Sequence, residues 1–436
     1  MTAARPPSVV ILGTGPSGLT AAYRLARHGL HVTLLEQSSR LGGALTATDG
    51  PPVPVLGCHR ATRKLLQGLG SISELHPATN LSLELQLPDR RVVSYPRGWF
   101  PRPLNTVFSL GRFKGFSWRE RWNLLSWLEQ LWEGTLELTP DLEHRTARDW
   151  LNSLGIDQAS QQAVWNPVAY WLTGSDLDTL SGDALVTACT PFFLGTASDR
   201  RITVFEEPWT SLLVEPILIG LQEAGATVRR ETRAIEVLHD HHHVGGIRTA
   251  DGTVFRADWY ISALPHHHLT PLLPERWLTR YAYFQQISEL SSRSCSFVRI
   301  HVRQALSGPR FILLPNESFR WVWGRPNGIE DSIFSGLLTH PFAEIGDLEA
   351  AAVSLLRSLV LLDAERNIGF ITQEHRTDSY LSLHPGTKTR RPIAQSPIAN
   401  FLLAGSWTDT GWPTNMESAI ESGERCADAL IRQLPS

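Results

Sequence analysis

Residues 8–37 read SVVILGTGPSGLTAAYRLARHGLHVTLLEQ, and this stretch decides the fold. A short β-branched run at 9–12 precedes a glycine turn, and residues 19–28 have the apolar spacing of an amphipathic helix. A second apolar run follows at 32–35. This order predicts a strand, a helix and a second strand parallel to the first.

The glycine turn has the spacing GxGxxG. Gly13 permits the tight turn, Gly15 lets the backbone approach a diphosphate, and Gly18 lets the helix pack against the strand. The helix N-terminus presents free N–H groups to that phosphate. Glu36 follows the second strand, where a carboxylate can accept hydrogen bonds from a ribose. The motif contains a strand, a turn, a helix and an acid at the expected spacing. This order favours a dinucleotide site over a purely structural glycine turn.

Composition limits the remaining possibilities. At 436 residues the chain exceeds the usual size of one core, so we expect two domains. The net charge of −3 indicates no nucleic-acid partner. The four cysteines are far apart, and the histidine runs 241–243 and 266–268 lack metal-ligand spacing, so no metal site is predicted. The first apolar run is too short for a signal peptide, which predicts a cytoplasmic location.

A second motif follows the acid. Arg40 lies four residues after Glu36, and Gly42 and Gly43 complete the pattern ExxxRxGG. This pattern resembles the signature of the amine oxidase and phytoene desaturase superfamily of flavoproteins, which implies FAD as the cofactor. The resemblance implies that Arg40 and the two glycines lie along the diphosphate and ribityl chain. Alternatively, Arg40 only pairs with surface carboxylates.

Two later segments return to the same domain. Residues 226–265 have the pattern of a hairpin, and the superfamily resemblance implies that the backbone near Ala234 faces the adenine. Residues 400–434 read as a strand, a loop at Gly405 and a helix from about Asn415. Gly423 inside that helix predicts close backbone packing. The resemblance implies that this helix points its N-terminus at the pyrimidine end of the flavin.

Longer strings resemble a narrower family, the squalene-associated FAD-dependent desaturases, also described as hydroxysqualene dehydroxylases. The strongest is AGSWTDTGWPTNMESAIESG at 404–423, and LGCHRAT, WNP and the run 376–392 agree with it. Two positions depart from the family: Ser406 replaces an acidic residue, and residues 51–56 replace a polar string.

The predicted fold class is α/β, with a Rossmann-like FAD-binding domain and an interleaved α+β substrate domain. The FAD-binding domain comprises 1–75, 205–265 and 393–436, and the substrate domain comprises 76–204 and 266–392. The residues expected at the cofactor are Gly13, Gly15, Pro16, Ser17, Gly18, Glu36, Gln37, Arg40, Gly42, Gly43, Ala44, Ala234, Gly405, Ser406, Asn415 and Met416.

The substrate domain contains a basic and aromatic segment. Residues 90–122 hold eight basic side chains and one acid, interleaved with tryptophan and phenylalanine. Such a segment can hold anionic headgroups and enter the acyl boundary of a bilayer, which predicts peripheral contact with the inner face of the cell membrane. Trp118, Trp122, Leu125 and Trp132 are predicted near one helical face. The alternative is a core helix with a solvated basic rim.

The resemblance implies reductive dehydroxylation of hydroxysqualene to squalene, with squalene-synthase-like enzymes as partners. His59 and Asp409 are the candidate proton sources, on loops that the resemblance places near the flavin. For His59, a packed or surface histidine is an open alternative. The rival functions are a carotenoid or phytoene-type desaturase, and a flavin-bound polyprenyl carrier without chemistry.

Overall fold

The computed structural model describes residues 5–46, 53–72, 78–96, 104–132, 141–205, 207–240, 242–315, 318–359 and 364–434. The strands are β1 Ser8–Leu12, β2 His31–Leu35, β3 Val55–Leu56, β4 Ala78–Leu81, β5 Leu83–Gln86, β6 Val92–Ser94, β7 Ile202–Phe205, β8 Thr227–Arg229, β9 Ala234–His239, β10 Val244–Thr249, β11 Val254–Phe255, β12 Trp259–Ser262, β13 Ser292–Val302, β14 Arg310–Leu313, β15 Phe319–Asn327, β16 Asp331–Leu338, β17 Ile368–Leu381 and β18 Phe401–Leu403.

The described α-helices are α1 Pro16–Arg27, α2 Arg60–Gly68, α3 Leu104–Arg112, α4 Trp118–Trp132, α5 Asp141–His144, α6 Ala147–Ser153, α7 Gln158–Ser160, α8 Asn166–Thr173, α9 Gly182–Phe193, α10 Glu215–Glu223, α11 His266–Leu269, α12 Glu275–Arg280, α13 Ala282–Ser288, α14 Ile345–Ser358, α15 Ala364–Asn367 and α16 Met416–Ile431. Seven of the described α-helices, α3 to α9, follow one another between β6 and β7. Among the described residues, none of the helices is long and apolar enough to cross a membrane.

A five-stranded parallel sheet carries the nucleotide motif. Its strand order is β18-β12-β1-β2-β8, and every pairing within it is parallel. The sheet therefore joins strands from the start, middle and end of the chain. All five residues of β1 are buried, as expected for a central strand covered on both faces. The predicted α/β fold with a Rossmann-like sheet is confirmed.

A larger mixed sheet forms the second layer. Its order is β17-β13-β16-β15-β14-β5-β6, and β14 pairs with β5 in the one parallel contact within it. Helix α14 packs its apolar face on this sheet through Leu348, Leu355 and Leu356. Two three-stranded sheets, β11-β10-β9 and β3-β7-β4, complete the strand pairing in the described parts of the chain.

The backbones of helices α1 and α16 approach each other closely at Gly423, where no side chain separates them. A Cβ on Gly423 would lie 2.5 Å from the Ser17 carbonyl oxygen and 2.8 Å from the Thr20 Cβ. The prediction of close backbone packing at Gly423 is therefore confirmed. This contact fixes the C-terminal helix against the helix that follows the nucleotide turn.

We expect Gly423→Ala to destabilise the protein by about 1–3 kcal/mol, because the added methyl group must push the two helices apart. Gly68→Ala is the matched control, since a Cβ at this exposed helical glycine meets no atom within 4 Å. Denaturant unfolding measures both. Equal stability of the two variants would contradict the packing described for α1 and α16.

Candidate cofactor and active site

The first glycine turn is shaped by backbone crowding on one side and open space on the other. Gly13 has φ +93°, a left-handed conformation that favours glycine. A Cβ at Gly18 would collide with the Gly13 carbonyl oxygen, whereas a Cβ at Gly15 would meet no atom within 4 Å. The turn therefore packs tightly against the sheet and leaves its Gly15 face free for a ligand.

The N-terminus of α1 is suited to an anion. Pro16 is the first helical residue, Gly15 at the N-cap has no side chain to cap the helix, and the first turn contains no acid. The first N–H groups of the helix and the positive end of its dipole are consequently left for a ligand. Pro16 and Ser17 lie where a diphosphate would meet these groups.

Glu36 lies at the adjacent strand end, as predicted. Its buried carboxylate accepts hydrogen bonds from the Thr14 N–H at 3.0 Å, the Thr14 hydroxyl at 2.6 Å and the Ser38 N–H at 2.9 Å. The Glu36 carbonyl also accepts from the Thr232 N–H at 2.7 Å. This bond brings the segment leading to Ala234, the first residue of β9, beside the acid.

The second glycine turn rests on the first. Gly42 and Gly43 have φ +120° and +57°, and a Cβ at Gly43 would lie 3.0 Å from the Gly15 Cα. The flanking predicted residues Gln37, Arg40 and Ala44 are exposed. Arg40 is therefore accessible to a ligand and to solvent. Contact with the FAD diphosphate and pairing with surface carboxylates both stay predictions for this residue.

The loop after β18 forms the third wall of the candidate cofactor cradle, whose other two walls are the glycine turns at 13–18 and 42–43. Gly405 lies against the Trp407 indole, whose Nε1 donates to the Leu264 carbonyl at 3.0 Å. Asn415 caps α16, because its Oδ1 accepts from the Ser418 N–H at 2.8 Å. The Ser418 hydroxyl donates to the carbonyl of Ser406 at 2.9 Å. Met416, the first residue of α16, is buried just below this wall.

His59 is buried beside the same loop. Only 4% of its surface is exposed, and its ring meets Trp412 edge to face, with centroids 5.4 Å apart. Its Nδ1 accepts a hydrogen bond from the Leu56 N–H at 3.2 Å, so Nε2 carries the proton of the neutral ring. The buried Nε2 has no partner within the described structure. Its N–H can therefore donate to a ligand.

Burial lowers the pKa of His59 to about 3. The ring is thus neutral at pH 7, which favours hydrogen-bond donation over proton supply from an imidazolium. Asp409 lies in a different environment, because its side chain is exposed and its backbone N–H donates to the Pro392 carbonyl at 2.8 Å. Proton supply by either residue stays a prediction, and the lowered pKa of His59 argues against an imidazolium as the proton source.

Sequence reasoning missed three residues of this site. Glu417 is buried, and its carboxylate accepts from the backbone N–H groups of Ala61 and Thr62, each at 2.9 Å, so it caps α2 next to His59. Its burial raises the pKa of this carboxyl. Thr414 has a buried hydroxyl with no partner in the described residues. Arg391 binds the carbonyls of the third wall. Only an acid near a helix N-terminus, at Glu417, is a signal that the sequence itself offers.

Titratable side chains do not gather elsewhere into a metal site. In the part of the chain that the structure describes, no group of three or more His, Cys, Asp or Glu side chains could hold a metal ion. His266 is buried and its Nε2 lies 3.4 Å from the Ser292 hydroxyl. His241 lies outside the described residues, as do 51 and 52 of the departing string.

Parallel strands with glycine turns at their carboxyl edge and an uncapped helix define a dinucleotide-binding domain. Residues 16–431 match the family described as flavin containing amine oxidoreductase. The chain belongs to this family. The broader resemblance is therefore confirmed.

Individual relatives refine this result. The probable zeta-carotene desaturase of Synechococcus elongatus is 25% identical over 97% of this chain and 98% of its own length. The 15-cis-phytoene desaturase of Solanum lycopersicum is 23% identical over 98% of this chain and 78% of its own. A putrescine oxidase structure with bound putrescine has the same fold, with a TM-score of 0.71 at 16% identity over 98% of this chain and all of that one. The two sequence relatives carry the name of the predicted rival, the desaturases, and neither is named as a squalene-associated enzyme.

The cofactor is FAD. The residues fit it: the open space at Gly15 and the uncapped α1 suit the diphosphate, Glu36 suits the ribose, and the unpartnered groups of His59 and Thr414 suit a polar ring system. FAD supplies the acceptance and return of a hydride. The chain's own residues supply the orientation of the cofactor.

We expect Gly15→Val to leave the stability of the FAD-free protein unchanged, because the new side chain points into open space. The same side chain would occupy the approach of the diphosphate, so FAD affinity should fall by about a hundredfold or more. Fluorescence titration with FAD measures this. Tight FAD binding by the variant would contradict the assignment of the cradle.

The His59 pKa predicts a pH-dependent stability. A folded-state pKa of about 3, below the ordinary value of 6.5, means that the contribution of neutral His59 is complete above pH 6.5 and is lost as the pH falls toward 3. Between pH 7.5 and pH 5 the loss is about 2 kcal/mol for this one group.

Denaturant unfolding at pH 7.5 and pH 5 checks the loss. His59→Gln should lower the difference between the two pH values by that amount, whereas replacement of the exposed His28 by Gln should not. An unchanged difference in His59→Gln would show that the ring is not held neutral by burial.

Proposed function

We propose that this protein is an FAD-dependent oxidoreductase that desaturates a long-chain isoprenoid. The observation that carries the proposal is an apolar cavity of about 90 Å³, formed by side chains between residues 85 and 194, which has room for a segment of such a chain. Aromatic side chains of four helical segments surround it. The lining includes Phe113, Phe116, Trp127, Trp150, Trp165 and Phe193.

The chemistry of this lining fits a hydrocarbon. The cavity wall contains Leu, Val and aromatic side chains, and no charged residue of the described chain lines it. A polyamine or a sugar nucleotide would need charged or multiple polar partners there, because burying its polar groups unpaired is costly. An isoprenoid chain needs only apolar contact and gains about 25 cal/mol for each Å² removed from water.

The desaturase relatives support the same substrate class. They match nearly the whole length of this chain, including the segment that forms the cavity. Desaturation removes a hydride and a proton from neighbouring carbons; bound oxidised FAD would be the hydride acceptor, and the proton would be released to water. An electron acceptor must then reoxidise the cofactor.

Reductive dehydroxylation of hydroxysqualene is the second candidate. The string at 404–423 favours it, and so do two polar atoms on the cavity wall, the Thr106 hydroxyl and Trp165 Nε1. Both are buried and have no partner among the described residues. One hydroxyl on the substrate would satisfy such a pair. In this reaction the hydroxyl would leave as water after protonation, and bound reduced FAD would supply the hydride that replaces it.

The direction of electron flow distinguishes the candidates. We expect the FAD-loaded protein, incubated anaerobically with phytoene or zeta-carotene in liposomes, to lose its oxidised-flavin absorbance and to yield a product with an additional double bond. A quinone should then restore the absorbance and permit turnover. The parallel sample contains hydroxysqualene and dithionite-reduced protein.

Each outcome decides between the functions. Squalene formed with reoxidation of the flavin, and no reaction with the polyenes, would replace the proposal by the second candidate. If the protein binds the polyenes and hydroxysqualene but its flavin responds to none of them, both reactions would be overturned and the carrier role would be left.

We also propose that α3 and α4 bring the protein to a membrane surface. Their outer side exposes apolar residues, with Trp118 74% and Trp122 63% exposed, and Leu104 lies exposed on α3. The basic side chains of Arg112, Lys114 and Arg119 are exposed alongside, whereas the acidic Glu120 is buried and accepts hydrogen bonds from Ser117. Aromatic and basic side chains together suit an interface with anionic lipids.

The inner side of the same helices supports this role. Leu110, Phe113, Leu124 and Leu128 of the α3–α4 region line the cavity. A lipid leaving the bilayer would thus have one layer of helix to pass. Residues 97–103 of the basic segment, and the side chain of Trp132, lie outside the described structure.

The double variant Trp118→Ser, Trp122→Ser should bind vesicles of anionic phospholipid at least about tenfold more weakly than the unaltered protein, because it loses the two exposed indoles. Vesicle co-sedimentation measures the binding. Ile329→Ser is the matched control, since Ile329 is 93% exposed on the turn between β15 and β16. Equal binding by both variants would exclude this surface.

A further inference from the structure

Arg391 has an unusual set of partners. The described hydrogen bonds of its guanidinium all go to backbone carbonyls of one loop, residues 405–412. Its Nε donates to Trp407 at 3.3 Å, Nη1 to Trp412 at 2.7 Å, and Nη2 to Ser406 at 3.1 Å and Thr408 at 2.5 Å. Four bonds from one planar group define the path of this loop more closely than separate side chains would.

The charge of this guanidinium is not neutralised by contact. Within the described structure no carboxylate forms an ion pair with Arg391, and the acids that influence it, Asp409 and Glu143, act at longer range. Burial lowers the pKa of Arg391 to about 10, so the group remains charged at pH 7. A poorly solvated charge acts over a longer distance than a surface charge.

The loop held by Arg391 belongs to the cofactor cradle. Trp407 donates to the Leu264 carbonyl, and a Leu264 side-chain carbon lies 3.2 Å from where a Gly13 Cβ would be. The loop also leads directly into Asn415, which caps α16. Movement of the loop would therefore move two walls of the cradle.

The segment that carries Arg391 is itself fixed to the substrate side. The Lys388 N–H donates to the Glu143 carboxylate at 2.7 Å, and this carboxylate also accepts from the Ser181 hydroxyl at 3.1 Å. Glu143 lies on α5, and Ser181 caps α9. Arg391 thus joins a rigid part of the substrate side to the cofactor loop.

We propose that Arg391 is a positioning residue that holds loop 405–412 in the shape that receives FAD, and that its fixed positive charge raises the reduction potential of the bound flavin. A cation near the flavin favours the reduced form, which carries more negative charge than the oxidised form. The inference rests on FAD binding and not on the choice of lipid substrate, so its failure would leave the proposed function untouched.

Three variants separate shape from charge. Arg391→Lys keeps the charge but cannot reach four carbonyls, whereas Arg391→Met removes both. Arg425→Met is the matched control, because Arg425 is exposed and donates to one carbonyl of the same loop, that of Asp409, at 3.2 Å. FAD affinity is measured by fluorescence titration, and the midpoint potential by anaerobic titration against a reference dye.

We expect Arg391→Met to bind FAD about tenfold more weakly or worse and to shift the flavin potential to more negative values. Arg391→Lys should show the weaker affinity with a potential close to that of the unaltered protein. Arg425→Met should change neither. If Arg391→Met does not fold, Arg391→Gln provides the uncharged variant with two remaining donors.

Two results would overturn the proposal. One is an uncharged variant with unaltered FAD affinity and potential, even if its melting temperature falls, because this would show a role in stability alone. The other is that Arg391→Lys and the uncharged variant have the same flavin midpoint potential and that both bind FAD as tightly as the unaltered protein.

Discussion

The close approach of three backbone turns at one edge of the parallel sheet is the constraint on which the rest of the structure depends. The first turn can close only because Gly18 lacks a Cβ, which would lie 2.1 Å from the Gly13 carbonyl oxygen, and the second turn rests on the first at the contact between Gly43 and Gly15. The third follows β18 and is held against Leu264 by Trp407. Since the three turns come from distant parts of the sequence, the cradle exists only when the whole sheet is assembled.

The contacts among the three turns explain why the cofactor site and the apolar cavity are built from different kinds of groups. The sheet and its glycine turns hold a polar, anionic cofactor with backbone groups, which tolerate little variation in shape. Helices α3, α4, α6, α8 and α9 line an apolar cavity with large side chains, and its shape depends on how these side chains pack. The family matches follow the same division, because the fold is shared with a putrescine oxidase and with desaturases whose named substrates differ completely. The fold alone therefore does not identify the substrate.

The cofactor half of the protein was predictable from local sequence, and the substrate half was not. The turn at 13–18, the acid at Glu36 and the strand before Gly405 are local patterns, and the structure shows the strands and helices expected from them. The seven-stranded sheet instead pairs β5 with β14, more than 200 residues apart, and no local pattern encodes this register. Arg391 was missed for a related reason, because its partners are main-chain carbonyls, which any residue supplies. The burial of His59 also depends on distant elements, including Trp412 and Glu417.

The most direct test of the account is a crystal structure of the protein with FAD bound. We expect the diphosphate at the N-terminus of α1 over Gly15, the adenine ribose at Glu36, and the flavin ring between His59 and the loop that Arg391 holds. A diphosphate bound elsewhere, or a ring that contacts neither His59 nor residues 405–415, would contradict it.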